Sequence, residues 1–284
     1  MLNNPIIIKE KTFHYCVAHT PPLFELPEYY NLLQTADFEI PNFKGNIYSI
    51  REYVNGNEFY KPKNNYYGHY SANFLNELLK KNINKEIDFV VSTSHRKIVT
   101  RDHIGKPSKN FKGMNIAPTM SAPSESLGFD KASNFLICKP LEFKDGVFGQ
   151  YARKHSLIDF LEFSKILVLS KILSDVEVKI FFDQRILFPA LPLGILPSKF
   201  FLELIDNLSK FILYSDKYGY KIQFPEDPYQ VRARDFFMER LSSYLFVRFI
   251  KSFNNLHESD FGNTVTFSDS FDSNFDLIYV GGKI

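Results

Sequence analysis

The apolar residues change their spacing partway along this chain, and that change limits the fold more than any other feature. In the first half they come as short runs closed by polar residues or prolines. Phe13 to Ala18 is one such run, and it ends at His19 and Thr20 and then at Pro21 and Pro22, which cannot continue a hydrogen-bonded ladder. Ile87 to Val91 and Asn134 to Cys138 are two more short strands, and the second of the three delivers Ser92 to Lys97 to its carboxyl end. Tyr66 to Asn82, between the first two, places Tyr70, Phe74, Leu75, Leu78 and Leu79 at helical spacing. Beyond Gly146 the helical period takes over, in Gly146 to Leu173, in Pro197 to Tyr214 with its Pro197–Ser198 start, and in Tyr229 to Asn254. This order predicts a mixed α/β fold with a helix-rich C-terminal half. Residues 1–254 are expected to form a single domain. Residues 255–284, rich in Ser, Asp, Asn and Gly, read as a polar tail with Leu277 to Val280 as a candidate terminal strand. Thr100 to Asp130, dominated by Gly, Pro, Ser and Lys, reads as a flexible lid or insertion.

Composition removes several function classes. A formal charge of +2 does not build the broad positive field that nucleic-acid binding requires, so no nucleic-acid partner is expected. Cys16 and Cys138 each lie in an apolar run, which suits reduced core thiols of a cytoplasmic protein and cannot by itself build a zinc site. No segment approaches the roughly 18 consecutive apolar residues of a membrane span. The opening MLNNPIIIKEK has no charged leader and too short an apolar stretch for a signal peptide. Peripheral contact with a membrane remains compatible with all of this.

The stretch from Gln150 to Asp159 carries the most chemistry. On a continuous helix Tyr151, His155 and Asp159 fall at i, i+4 and i+8 and share one face. A carboxylate beside His155 would raise its pKa and fix its tautomer, which suits binding an anionic diphosphate or acting as a general acid. The same residues also read as a helix start, with Ser156 as the cap and Asp159 at the third position. The two readings stand side by side and are compatible, because a helix N-terminus next to a histidine is itself an anion-binding position.

Several segments, taken in order, resemble a family of bacterial capsular and exopolysaccharide-synthesis proteins that are glycosyltransferase-like, some described as galactofuranosyltransferases. A strand ending in Ala-Thr-His-Lys is similar to Val17-Ala18-His19-Thr20, followed here by Pro27, Tyr29 and Tyr30, and a Tyr-rich helix is similar to Asn65 to Leu79. The family's Gly-Leu-x-His-Tyr-Arg-Arg resembles Ser92 to Lys97, with the Tyr absent and one Arg become Lys. Its Gln-Tyr-x-x-x-His-x-x-x-Asp-Leu is matched by Gln150, Tyr151, His155 and Asp159, with Phe160 for Leu, and its Glu-Arg-Leu by Glu239, Arg240 and Leu241. The chain departs from the family at Phe188 to Gly194, where relatives carry an Asn-Met-Phe-like segment.

The resemblance implies a GT-A-like domain that moves a sugar, galactofuranose or galactose first, from a UDP-sugar donor to an oligosaccharide or lipid-linked glycan acceptor. The expected setting is the cytoplasm, at the inner face of the membrane. His95, Arg96 and Lys97 would meet the donor diphosphate, since closely spaced cations stabilise a nucleotide leaving group. His19, Thr20, Tyr151, His155 and Arg240 are the further donor-binding candidates, and His69 and Tyr70 on the first long helix could line the same cleft, with core packing the stronger reading for Tyr70. The base for the acceptor hydroxyl is sought among Glu239, Asp159 and Asp183, in that order. Asp235 and Glu239 are like charges at i, i+4, and their repulsion hints that Glu239 points into a site. No Asp-x-Asp follows an apolar strand, so no metal requirement is expected. The rival reading is a non-catalytic relative that binds glycan or scaffolds a synthesis complex.

Overall fold

The computed structural model describes residues 11–57, 67–82, 87–109, 113–119, 135–189, 193–252 and 256–269. The first half supplies β1 (Thr12–Ala18), β2 (Asn31–Gln34), β3 (Asn46–Ser49), α1 (Ile50–Asn55), α2 (Ser71–Asn82), β4 (Phe89–Ser94), β5 (Lys97–Thr100), β6 (Lys106–Pro107), β7 (Met114–Pro118) and β8 (Leu136–Cys138). The second supplies β9 (Leu141–Glu142), α3 (Gly146–Ala152), α4 (Leu157–Leu169), α5 (Asp175–Asp183), β10 (Ile186–Leu187), β11 (Gly194–Pro197), α6 (Ser198–Lys217), α7 (Ala233–Ser252) and β12 (Phe261–Ser268). The fold is mixed α/β with a helix-rich C-terminal portion.

The main sheet runs β3-β2-β1-β4-β11-β8-β12-β7-β6, and β5 pairs with both β4 and β12. The strands β3, β2, β1 and β4 are parallel, whereas β11 runs antiparallel to its neighbours β4 and β8. The chain therefore builds outward from β1 to β3, then returns to lay β4 on the other side of β1. At such a switch point the connections leave in opposite directions and open a crevice beyond the carboxyl ends of the two central strands.

Alternation along β1 divides the core. Phe13 and Tyr15 join the large cluster formed with α2, α6 and α7, while Cys16 and Ala18 pack with Tyr30 and Leu32 on the opposite face. Both cysteines are free and buried. Gly194 opens β11 at φ +120°, and a Cβ there would collide with the Leu136 carbonyl, so only glycine admits this strand beside β8.

Four expectations change. Residues after 254, read as a polar tail, place β12 inside the sheet, parallel to β7 and β8. The polar appearance arises because Thr264 and Thr266, both fully buried, take core positions of that strand. The stretch Thr100 to Asp130, read as a lid, contributes β6 and β7 to the same sheet, with Met114 and Ile116 buried. The rest of that stretch, residues 110–112 and 120–130, lies outside the described residues, as do Tyr66, Asn254, Ala190 to Pro192 and the candidate strand Leu277 to Val280. The strand at Ile87 to Val91 runs instead through Phe89–Ser94 and turns back through His95 and Arg96 into β5, where Ser94 pairs with Lys97. Finally, Gly146 to Leu173 is not one helix. It breaks at Arg153 to Ser156, and the Ser156 hydroxyl caps α4 by accepting the Asp159 N–H at 3.2 Å.

Candidate functional site

The crevice predicted by the strand order is a cleft of about 380 Å³, bordered by the ends of β1 and β4, the β4–β5 turn, the Gly68–Ser71 turn before α2, and the first turns of α7. The register Val17↔Ser94 puts His19 and His95 side by side, with ring centroids 4.2 Å apart and edge to face. The His95 N–H donates to the Val17 carbonyl at 3.0 Å, and the Leu23 N–H donates to the His95 carbonyl at 2.7 Å. The turn after β4 is thus fixed to the loop after β1. Arg96 is fixed from the other side, its carbonyl accepting the Phe267 N–H at 2.8 Å.

The charges of the cleft are arranged in two groups. His19, His95, Arg96 and Lys97 come from the strand ends. The start of α7 and the turn before it add Arg232, Asp235 and Glu239, with Arg232 Nε 3.9 Å from Asp235 Oδ2. Burial and the neighbouring His19, Arg96, Lys97 and Arg232 hold the His95 pKa down to about 3. Partial burial, with Arg232 and Arg96 beside it, lowers that of His19. Both imidazoles are therefore neutral near pH 7 and serve as hydrogen-bonding groups, leaving the positive charge to Arg96, Lys97 and Arg232. Burial also lowers the Lys97 pKa, opposed by the Glu239 carboxylate.

Glu239 is held from beneath. Arg240 is buried and donates from Nη1 to Glu239 Oε2 at 2.8 Å and to the Phe236 carbonyl at 2.7 Å. Its Nε and Nη2 donate to Gln150 Oε1 at 3.1 and 2.9 Å, and its guanidinium lies 5.5 Å from the Tyr151 ring centroid. The sequence segments around Gln150 and Glu239 therefore meet through Arg240. A second buried ion pair, Arg234 to Asp216 at 2.5 Å, also binds the Tyr70 hydroxyl at 2.9 Å and locks α7 against the turn that carries Gly68 and His69 to the cleft rim.

Of the residues singled out from sequence, His19, His95, Arg96, Lys97, Glu239 and His69 line one cleft. Thr20 is exposed outside it, Asp183 is exposed at the end of α5, and Tyr70 is core. Tyr151, His155, Asp159 and Arg240 are buried and do not line it. The expected helical row is also interrupted, since Tyr151 lies on α3, His155 in the break after it and Asp159 on α4. His155 stacks on Phe236, centroids 4.2 Å apart, and burial together with the Arg240 charge lowers its pKa to about 4, the reverse of the shift expected from a carboxylate neighbour. The Asp159 carboxylate instead accepts from the Tyr220 hydroxyl and from the Gln223 N–H at 3.0 Å. Of the charged cleft residues, Arg232 was not proposed as a site residue from sequence, and Asp235 was considered only as the like-charge neighbour of Glu239. Arg232 lies four residues before Phe236 and Asp235 four before Glu239, so helical spacing around α7 was the available signal.

Among the described residues, no three His, Cys, Asp or Glu side chains converge to hold a metal ion, and no helix is long and apolar enough to cross a membrane. No protein-family model and no curated protein matches the chain. Its fold is similar to that of a solved structure, the apo form of the bifunctional glycosyltransferase WbbM, with a TM-score of 0.59 at 12% sequence identity. The match covers 96% of this chain and 48% of that one, so the chain spans about half the length of the structure whose fold it shares.

Proposed function

We propose that the protein is a GT-A-like glycosyltransferase that uses a UDP-sugar donor, with galactofuranose or galactose as the leading sugars. The acceptor would be a bacterial capsular, exo- or lipopolysaccharide chain, as an oligosaccharide or lipid-linked glycan, met at the inner face of the membrane. One observation carries the reading: the crevice at the β1/β4 switch point gathers Arg96, Lys97 and Arg232 together with the carboxylates of Asp235 and Glu239. Nucleotides bind at this position in open α/β sheets. The fold shared with WbbM supports it.

In this reading the donor diphosphate lies against Arg96 and Lys97, with the His19 and His95 rings donating hydrogen bonds. The acceptor hydroxyl approaches from the α7 side. Its oxygen attacks the anomeric carbon, the bond from that carbon to the diphosphate oxygen breaks, and the hydroxyl proton passes to Glu239. Negative charge develops on the departing diphosphate, where fixed cations stabilise the transition state more than the ground state. The Arg240 contact keeps the Glu239 carboxylate in one rotamer, so the base needs no reorientation during the reaction. In this reading Arg96 and Lys97 supply that stabilisation from the protein side.

Binding and transfer across a panel of nucleotide sugars test the proposal. Glu239→Gln should keep UDP affinity and lower transfer by about 100- to 10,000-fold, the usual range for a lost general base. A wild-type protein that neither binds nor turns over any nucleotide sugar sinks the reading. Glycan binding without turnover would identify a non-catalytic relative instead.

A further inference from the structure

The segment 218–232, between α6 and α7, has few core residues, and Phe224 and Tyr229 are 56% and 48% exposed. It is nonetheless fastened at two points to the α3–α4 junction. At the first, Asp159, buried at the start of α4, takes the Tyr220 hydroxyl and the Gln223 N–H on one carboxylate oxygen, while the Tyr220 ring packs edge to face on Phe163 at 4.7 Å. At the second, Gln230 Nε2 donates to the Lys154 carbonyl at 2.9 Å, and the Tyr229 ring stacks on His155 with centroids 5.3 Å apart and 17° between planes. Between them the Asp227 carboxylate accepts the N–H groups of Tyr229 and Gln230 at 2.7 and 3.0 Å and tightens the turn.

Arg232 follows directly on the second fastening. Its guanidinium lies 5.3 Å from the centroid of Phe236, the ring that His155 supports, and it lines the cleft. A buried carboxylate is costly to keep, and here one of its oxygens holds the two bonds that tie down an otherwise exposed strap. We infer that Arg232 is a further cation on the donor diphosphate, and that Asp159 and His155 serve the donor through it, as positioning residues that hold the 218–232 strap in the arrangement aiming Arg232 into the cleft. This rests on the glycosyltransferase reading and changes what the Gln150 to Asp159 segment does within it. Gln150 orients the base through Arg240, and the residues after it orient a phosphate ligand.

Charge-assisted hydrogen bonds to phosphate are the strong ones, so Arg232→Gln should weaken UDP binding, measured by titration calorimetry, by about 10- to 100-fold. Asp159→Leu, which removes the acceptor, should lose part of that affinity, and the double variant should be no weaker than Arg232→Gln alone, because Asp159 acts through Arg232. Tyr220→Phe keeps the ring packing and removes one bond to Asp159. It repeats the test should Asp159→Leu fold poorly. A general loosening of the fold would instead make the losses additive, and additive losses overturn the positioning role. Wild type that binds UDP while Arg232→Gln binds it equally well overturns this inference alone. Absence of UDP binding by wild type overturns the donor reading and this inference with it.

Discussion

Gln150 does not line the cleft, yet its side-chain carbonyl takes two of the N–H groups of Arg240, and this makes it a sharp test of the network beneath Glu239. Gln150→Leu removes that acceptor and little else. The Arg240 side chain is 5% exposed, so water cannot take over the two lost bonds. A hydrogen bond to a charged group contributes about 1.5–3 kcal/mol, and two that share one acceptor do not add in full, so the expected loss of stability is about 2–4 kcal/mol. In urea denaturation this lowers the midpoint at unchanged slope. A second effect follows at the cleft. With Arg240 no longer held, Glu239 loses its fixed orientation, so the transfer rate should fall while UDP affinity holds, because none of the cleft cations Arg96, Lys97 and Arg232 has been touched. Gln150→Glu separates the two effects. It keeps an acceptor for Arg240, and hence most of the stability, but competes with Glu239 for that guanidinium and should still slow transfer. A Gln150→Leu protein within about 0.5 kcal/mol of wild type, the range of an ordinary surface substitution, would refute the network.

Two further outcomes concern stability. Burial lowers the pKa of His14 and of His155 to about 4, against about 6.5 for an unfolded histidine. Between those values the unfolded chain binds more protons than the folded one, so stability is full above about pH 6.5 and falls as the pH drops towards 4. The urea midpoint should be lower at pH 5 than at pH 7, and His155→Phe, which keeps a ring against Phe236 and Tyr229, should flatten that slope; an unchanged slope in the variant would count against it. Arg234→Met leaves the Asp216 carboxylate buried without its cation and should cost about 3–5 kcal/mol, and adding Asp216→Leu should recover most of it. A double variant less stable than Arg234→Met would contradict the buried-pair account.

What could be read from sequence depended on whether an element's neighbours matched its own chemistry. β1 and α6 were legible because apolar residues fill their buried faces and prolines mark an end, Pro21 and Pro22 after the strand and Pro197 before the helix. β12 was hidden because it is buried on both faces, with Thr264 and Thr266 as deep as Val265 and Phe267, so it shows neither an apolar run nor an apolar-polar alternation that follows burial. The break between α3 and α4 carries no glycine or proline, and the cap signature at Ser156 was its one local mark. Within the site, the strand-end residues His19 and His95 to Lys97 could be found because strand ends are visible in sequence. The burial of His155 and Asp159 behind the cleft could not, since it depends on the 218–232 segment folding back across the α3–α4 junction over a separation of some 60 residues.

The position of β12 also sets an order on the making of this protein. Residues 261–268 fill the place between β8 and β7 and pair with β5 as well, so the far half of the sheet has no centre until they are available. During synthesis β5, β7 and β8 emerge on the order of ten seconds or more ahead of the strand that joins them. Through that interval they present unpaired rows of N–H and C=O groups, a ready template for pairing with other chains. Strands β1 to β4 wait only for β11, which is made earlier than β12, and can assemble first. A nascent chain would thus hold half of a crevice, with the Arg96 carbonyl still waiting for Phe267, while its remaining half depends on shielding from its neighbours.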